Sequence, residues 1–343
     1  MATSLTPATA QGARKPTRGR GYTERYASIV AQPLAVSGAT VFGKEFPLGE
    51  GWYKVLVRIN EIVVIGTGAG PVTEGELLFI KNVQLRSDRG EILCNLPGRA
   101  LYKIATYKTG EAPFKDAIAA ASATYTVTVP IYFAENRTMD MLRMQDTILN
   151  TARYNSLILT VTIGSVSDLF TAPGTATVTA TLDLEIERSF GPLPPQAFPL
   201  YHMSYDYRPP VDAFSLTTID IERSADMAIK RLYVICGTGG TAGVPASGAL
   251  ADTIQNQVTV KDQNRFIEFN RYHSMIQNQN KMDAQLELRM TGVEVFDYVA
   301  DGSVVAALAT AEKSVLQYTW TNQAGVAAGS IVTVFEEMVR TLK

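Results

Sequence analysis

The strand-like run Val63-Val64-Ile65 breaks into Gly66-Thr67-Gly68-Ala69-Gly70. Glycines in such a pattern let a backbone approach a dinucleotide pyrophosphate at the start of a helix. Here the pattern fails: the third glycine position is Pro71, and Gly75 interrupts the segment that would have to be the helix. The same Gly-Thr-Gly recurs at Gly237-Thr238-Gly239, again with no helical pattern behind it, so both read as structural turns. Acid/base catalysis most often uses histidine, and the chain has two, His202 in LYHMSYDY and His273 in RYHSM. Neither belongs to an HxH, HxxxH or CxxC spacing that would hold a metal, and no GxSxG elbow presents a nucleophile. Both histidines read as packed or surface side chains, and Glu336-Glu337 reads as a solvated strand edge. Cys94 and Cys236 read as small buried hydrophobes of a reducing compartment. The expectation is a protein that is not an enzyme, with no catalytic residue, cofactor or metal.

The recurring glycines are one of several matches in the same order. Ile62 to Ile65 before the first Gly-Thr-Gly corresponds to Leu232 to Cys236 before the second. Ile80 to Ile92 and a segment opening at Arg99 are followed, one domain length on, by Ile254 to Ile267 and a segment opening at Arg271. Leu149-Asn150-Thr151 with Ser156-Leu157 returns as Leu308-Ala309-Thr310 with Ser314-Val315. Both halves close on Glu-x-x-Arg, at Glu185 to Arg188 and Glu337 to Arg340. Two homologous domains in tandem account for this, since the period is far too long for a solenoid repeat or propeller blade. A length of 343 residues suits two domains, each able to bury an ordinary core.

Most of the periodicity is two. Val178, Ala180, Leu182, Leu184 and Ile186 share one face of TATVTATLDLEIE, as Tyr125, Val127, Val129 and Ile131 do in YTVTVPIYF. Pro130 in the latter belongs at an edge or bulge, because it has no N–H to donate. Similar alternation marks Tyr53 to Ile59, Leu286 to Met290 and Leu316 to Trp320. About eight strands per half, separated by uneven loops, favour antiparallel sandwiches over βαβ units. Helical signal is local: Met141, Met144 and Ile148 behind Thr138 form one stripe, and segments 99–107 and 271–279 form a matching pair of short helices or turns.

The net charge of −2 conceals a segregation. Residues 1–25 carry Arg14, Lys15, Arg18, Arg20 and Arg25 against Glu24 alone, a net +4, which leaves −6 for the rest. The composition of this segment predicts a flexible arm over residues 1–28, with affinity for lipid head groups or nucleic acid. A first domain over 29–190, a Pro-rich linker at 191–200 and a second domain over 201–343 follow. With no apolar signal region or membrane-spanning run, the chain is expected to be soluble and not secreted by a classical signal.

Two stretches carry a resemblance. VPIYFAENRTMDMLRMQDTILNTARYNSLILTVTIGSVSDLF, Val129 to Phe170, has a strand leading through a helical excursion to a Tyr-x-Ser-Leu strand. GVEVFDYVADGSVVAALATAEKSVLQYTWTN, Gly292 to Asn322, has an aromatic-Asp strand, an Asp301-Gly302 turn and a Leu-x-Thr segment before the next strand. Together with the duplication they resemble the double jelly-roll major capsid proteins of tailless, internal-membrane-containing icosahedral bacteriophages, the tectivirus and corticovirus-like lineage. The resemblance implies an all-β fold of two tandem eight-stranded jelly rolls with a few short helices, and a homotrimer tiling a virion shell. The partners it implies are neighbouring capsomers, penton and minor proteins, and an internal membrane or genome met by Arg14, Lys15, Arg18, Arg20 and Arg25. Short decorations are expected from the loops at 66–75 and 237–251. The competing class is a jelly-roll spike or lectin-like module, in which Tyr201, Tyr205 and Tyr207 would stack on carbohydrate.

Overall fold

The computed structural model describes residues 22–33, 40–46, 48–64, 70–118, 123–134, 148–172, 174–192, 201–221, 227–262, 265–299, 307–309 and 315–341. Among the described residues, eight strands longer than two residues build the first half: β1 Tyr22–Pro33, β2 Thr40–Glu45, β3 Glu50–Val64, β4 Ile80–Ser87, β5 Ile92–Leu96, β6 Ala123–Tyr132, β7 Leu157–Ile163 and β8 Thr177–Pro192. The second half has β9 Tyr201–Tyr207, β10 Thr218–Asp220, β11 Met227–Thr238, β12 Gln255–Asp262, β13 Arg265–Tyr272, β14 Val293–Asp297, β15 Leu316–Asn322 and β16 Ile331–Thr341. Among the described residues four α-helices interrupt them: α1 Gly75–Leu78, α2 Gly98–Thr109, α3 Val166–Leu169 and α4 His273–Asp283.

Pairing is the same in both halves. The first forms sheets ordered β1–β8–β3–β6 and β2–β7–β4–β5; the second forms β9–β16–β11–β14 and β10–β15–β12–β13. Each strand thus meets the partners that its counterpart eight strands away meets, which is the duplication read at the level of hydrogen bonds. Facing sheets of this order are jelly rolls. The two are not beads on a string. β5 and β9 pair in parallel at Cys94 and Tyr205, fusing one sheet of each half into a single sheet of 11 strands, short ladders included.

Alternation decides what each strand buries. Val55, Val57 and Ile59 of β3 face Leu182, Leu184 and Ile186 of β8 across their ladder, and all six are buried in the first core. β11 differs, because MAIKRLYVICGT is buried on both faces from Ile229 to Gly237. Leu232, Val234 and Cys236 point into the second core, whereas Tyr233 and Ile235 join the cluster that fills the first jelly roll. A strand covered on both sides reads as a continuous apolar run, and here the second cover comes from the other jelly roll. Pro130 sits in β6, an edge strand.

Several expectations change. β1 begins at Tyr22, so residues 22–28, assigned to the arm, lie in the first jelly roll, where β8 supplies partners for their backbone groups. β8 runs to Pro192 and takes the first two residues of the expected linker; 193–200 lie outside the described residues. The alternation at Leu286 to Met290 makes no strand. It follows α4 as a turn, with Gln285 at φ 56° and the Leu286 N–H returning to the Lys281 carbonyl. Gly75, read as an interruption of a helix, instead opens α1, a helix of a single turn. The stripe at Met141 and Met144 lies outside the described residues.

Candidate functional site: the seam between the jelly rolls

α2 positions the seam. Half of its sequence GRALYKIATYKT, Arg99, Ala100, Leu101, Lys103, Ala105 and Lys108, has good helix propensity. It starts after extended Pro97 and ends at Gly110, whose φ of 79° favours glycine and whose N–H closes on the Thr106 carbonyl. One side of α2 packs on its own jelly roll, and the other lies on the outer face of β9–β16–β11–β14. Ten of its twelve residues are buried, Arg99 and Lys108 among them.

Lys108 in the last turn meets Glu337 at 2.8 Å, and both side chains are fully buried. Lys230 and Arg231 reach the same carboxylate at 3.2 Å, and the Tyr233 hydroxyl donates to its second oxygen at 2.9 Å. Arg231 also pairs with Asp297 at 2.9 Å, which accepts from the Tyr107 hydroxyl at 3.2 Å. Charges removed from water persist only when paired and hydrogen-bonded, and Glu337 is the common partner of three cations. Burial, reinforced by the Glu337 charge, pushes the Tyr233 phenol well above its ordinary range. The Tyr107 and Tyr233 rings pack edge to face at 5.9 Å beside this network.

The other end of α2 is tied as firmly. Arg99 donates to the carbonyls of Ala246 and Gly248 at 2.8 and 2.5 Å, and its Nε lies 3.1 Å from Glu74. Asn95 donates to Asp206 at 3.1 Å, and the Tyr205 hydroxyl donates to the Tyr132 carbonyl. A groove of about 470 Å³ beside α2 carries Glu74, Arg99, Lys103 and Lys115. Lys103 joins Arg99 on Glu74, and Lys115 pairs with Glu76; Arg289 also lines the groove.

A second polar cluster lies inside the second jelly roll. His273, at the start of α4, contacts Glu294 at 2.5 Å and Asp252 at 3.3 Å. Glu294 also accepts from Tyr318 at 2.8 Å, and Asp252 accepts from Gln277 and the Gly292 N–H, both at 2.6 Å. Burial alone would lower the His273 pKa, but its hydrogen bonds and ion pairs with the two carboxylates raise it to about 9. Asp252 falls to about 2 because the same contacts outweigh its partial burial. The arrangement clamps α4 and the 252 loop to β14. Among the described residues no group of three or more His, Cys, Asp or Glu could hold a metal ion, and no helix is long and apolar enough to cross a membrane.

Arg14, Lys15, Arg18 and Arg20 lie outside the described residues. Arg25 does not belong to an arm: it lies in β1, in register with Glu185 of β8, because the segment from Tyr22 pairs with that strand. Glu336 and Glu337 are not at a solvated edge. β16 runs between β9 and β11, and both carboxylates are at most 1% exposed. Arg208 meets Glu336 through two hydrogen bonds of 2.7 and 2.9 Å. His202 lies in β9 opposite Arg340, and Tyr205 is buried and so presents no stacking face to a sugar. Cys94 and Cys236 are free and buried. The second Gly-Thr-Gly ends β11 and turns toward the short strand Ala249–Leu250; the first lies outside the described residues.

Lys108, Lys230, Arg231 and Asp297 belong to no catalytic or metal-binding spacing in the sequence. A signal existed: Lys230-Arg231 interrupts an otherwise apolar strand, and a charge pair inside such a run requires buried partners.

The chain is a double jelly roll, two sandwiches locked into one body. No family model and no curated protein matches it. Solved structures do match from end to end. The major capsid protein of Sulfolobus Turreted Icosahedral Virus superposes with a TM-score of 0.65 at 13% identity, covering 94% of this chain and 97% of that one. The major capsid protein of bacteriophage PM2 gives 0.59 at 11% identity, with coverage of 94% and 98%. The PBCV-1 virus capsid gives 0.57 at 11% identity, with 95% of each chain covered. At such identities the likeness establishes the shared fold.

Proposed function

We propose that this chain is the major capsid protein of a tailless icosahedral virus, and that it works as a homotrimer whose six jelly rolls form one pseudo-hexagonal tile. The observation that carries the reading is the end-to-end match to three capsid chains, which covers both jelly rolls and the seam together. A tile must hold its two sandwiches in a fixed relation, and the fused sheet with its buried ion cluster provides that. The described polar clusters are internally matched and structural, which favours assembly over catalysis. Trimerisation covers sandwich flanks that would otherwise face solvent. Arg14, Lys15, Arg18 and Arg20 would face the shell interior and meet lipid head groups or genome. A bacteriophage of the internal-membrane lineage and penton or minor-protein partners complete the reading.

The test is the mass of the purified chain by light scattering, followed by negative-stain microscopy. A species of about three chain masses seen as flat hexagonal particles is expected; a monomer at every concentration refutes the proposal. Removing residues 1–21 is expected to leave the trimer intact and abolish binding to anionic vesicles or nucleic acid. Unchanged binding to both would remove the role of the arm.

A further inference from the structure

Three loops meet at one end of the second jelly roll, those joining β9 to β10, β11 to β12 and β15 to β16. Backbone hydrogen bonds tie them together: the Ala213 N–H donates to the Ser330 carbonyl at 2.7 Å, and the Gly240 N–H to the Gly329 carbonyl at 2.9 Å. Although 19% of the chain is charged, residues 209–217, 239–251 and 323–330 carry a single charged side chain, Asp212. The tip they form is apolar. Phe214 and Leu216 of the first loop stand 64% and 56% exposed, and Val244 of the second 37%. Ala324, Ala327 and Ala328 are exposed on the third.

The turn that carries Phe214 and Leu216 can leave water without stranding its backbone. Asp212 accepts the Phe214 N–H at 3.0 Å through one carboxylate oxygen and the Gly329 N–H at 2.9 Å through the other. Its carbonyl accepts the N–H groups of Ser215 and Leu216 and the Ser215 hydroxyl, all at 3.0 Å. The N–H groups of residues 214–216 are thus satisfied inside the turn, and the one carboxylate is engaged in holding it. Unpaired backbone donors are what keeps most loops out of hydrocarbon. Protein interfaces carry about one hydrogen bond per 100–200 Å², and these three residues have no N–H left to contribute one. A lipid surface requires none.

We propose that this tip docks on a lipid bilayer, with Phe214 and Leu216 entering the boundary between head groups and acyl chains. The bilayer is uncharged overall: outside residues 1–25 the chain sums to −6, from −2 − (+4), so anionic head groups repel it. The tip lies at the end opposite the basic segment. Leu77, Lys81 and Asp168 of the first jelly roll line one cavity with Gly239 and Gly248, which brings the approach to β8 to the tip end. Pro33 of β1 pairs there with Thr179, whereas Tyr22 pairs with Arg188 toward the other end of β8. In the shell proposed above, whose interior meets the arm, the tip faces outward, and a homotrimer presents three tips that act together. That direction and number rest on the proposed assembly; the tip itself belongs to one chain.

The test uses the full chain with phosphatidylcholine vesicles in about 1 M salt, which confines charge effects to roughly 3 Å and silences the arm. Flotation is expected to carry the chain with the vesicles. Phe214→Ser with Leu216→Ser is expected to weaken binding at least about tenfold, with the circular dichroism spectrum and unfolding midpoint retained because both side chains are exposed. The emission of Phe214→Trp is expected to move to shorter wavelength when vesicles are added. A trimeric chain that does not float, or a serine variant that floats equally well, would overturn the docking and leave the assembly standing. Loss of self-association in the serine variant, with no flotation of the wild type, would make the tip a protein contact and overturn it as well. If light scattering shows only monomer, the assembly is overturned, and an emission of Phe214→Trp unmoved by vesicles would overturn the docking separately.

Discussion

Lys108 of the first jelly roll donates to Glu337 of the second across 2.8 Å, with neither side chain exposed to solvent. The two residues are 229 positions apart, and their contact is the centre of the joint that makes two sandwiches one body. Lys230, Arg231 and Tyr233 converge on the same carboxylate, so removing Glu337 strands more charge than removing any one cation.

Glu337→Ala is therefore expected to destabilise the chain by more than about 3–5 kcal/mol, the usual cost of breaking one buried pair. Lys108→Ala should fall within or below that range, because Lys230 and Arg231 still hold the carboxylate. Urea unfolding of the two variants checks the order, and equal losses would mean that the cluster does not act as described.

Arg99→Lys is expected to loosen the joint at its other end. Arg99 serves two carbonyls and Glu74 at once through a planar fork, which an ammonium cannot reproduce. A loss of about 1.5–3 kcal/mol is expected. Faster proteolysis in the 239–250 loop, whose Ala246 and Gly248 carbonyls Arg99 holds, gives the local readout.

Gly110→Ala combines two penalties. The φ of 79° disfavours a side chain, and a methyl there would come within 2.7 Å of the Ala284 carbonyl oxygen in the other jelly roll. About 1–2 kcal/mol from the backbone and 1–3 kcal/mol from overpacking are expected. A lowered unfolding midpoint with α4 less protected in hydrogen exchange would locate the effect at the seam.

His273 sets a pH dependence. Its folded pKa of about 9 lies above the unfolded value of 6.5, so the protonated form is bound more tightly by the fold. The stabilisation is fully present below pH 6.5 and lost as pH rises through 9, a change on the order of 3 kcal/mol. Asp252 works in the opposite sense: its folded pKa of about 2 lies below 3.8, so its contribution is present above 3.8 and lost as pH falls through 2. His273→Gln should flatten the alkaline limb of the unfolding midpoint against pH; an unchanged limb would assign it to another group.

The repeat in the amino-acid sequence determined much of the fold. Gly-Thr-Gly, Leu-x-Thr and Glu-x-x-Arg mark equivalent places in two copies of one strand order, and alternation assigned the inward faces of β3, β6, β8 and β15. Such patterns are legible because strand pairing and burial have a local period of two. Only the tertiary structure decided the status of Glu337, Lys108 and Arg231. Whether an outward-facing carboxylate meets water or a buried cation depends on what covers the sheet, and the cover here is a helix more than two hundred residues away in the chain. The same fact separates α2 from α4: they hold equivalent positions, but α2, which lies against a sheet of the other sandwich, buries ten of its twelve residues and α4 four of its eleven. Alternation misled at Leu286 to Met290, where Gln285 turns the chain out of α4 and leaves Leu288 in solvent, because a period of two over five residues carries no information about pairing partners.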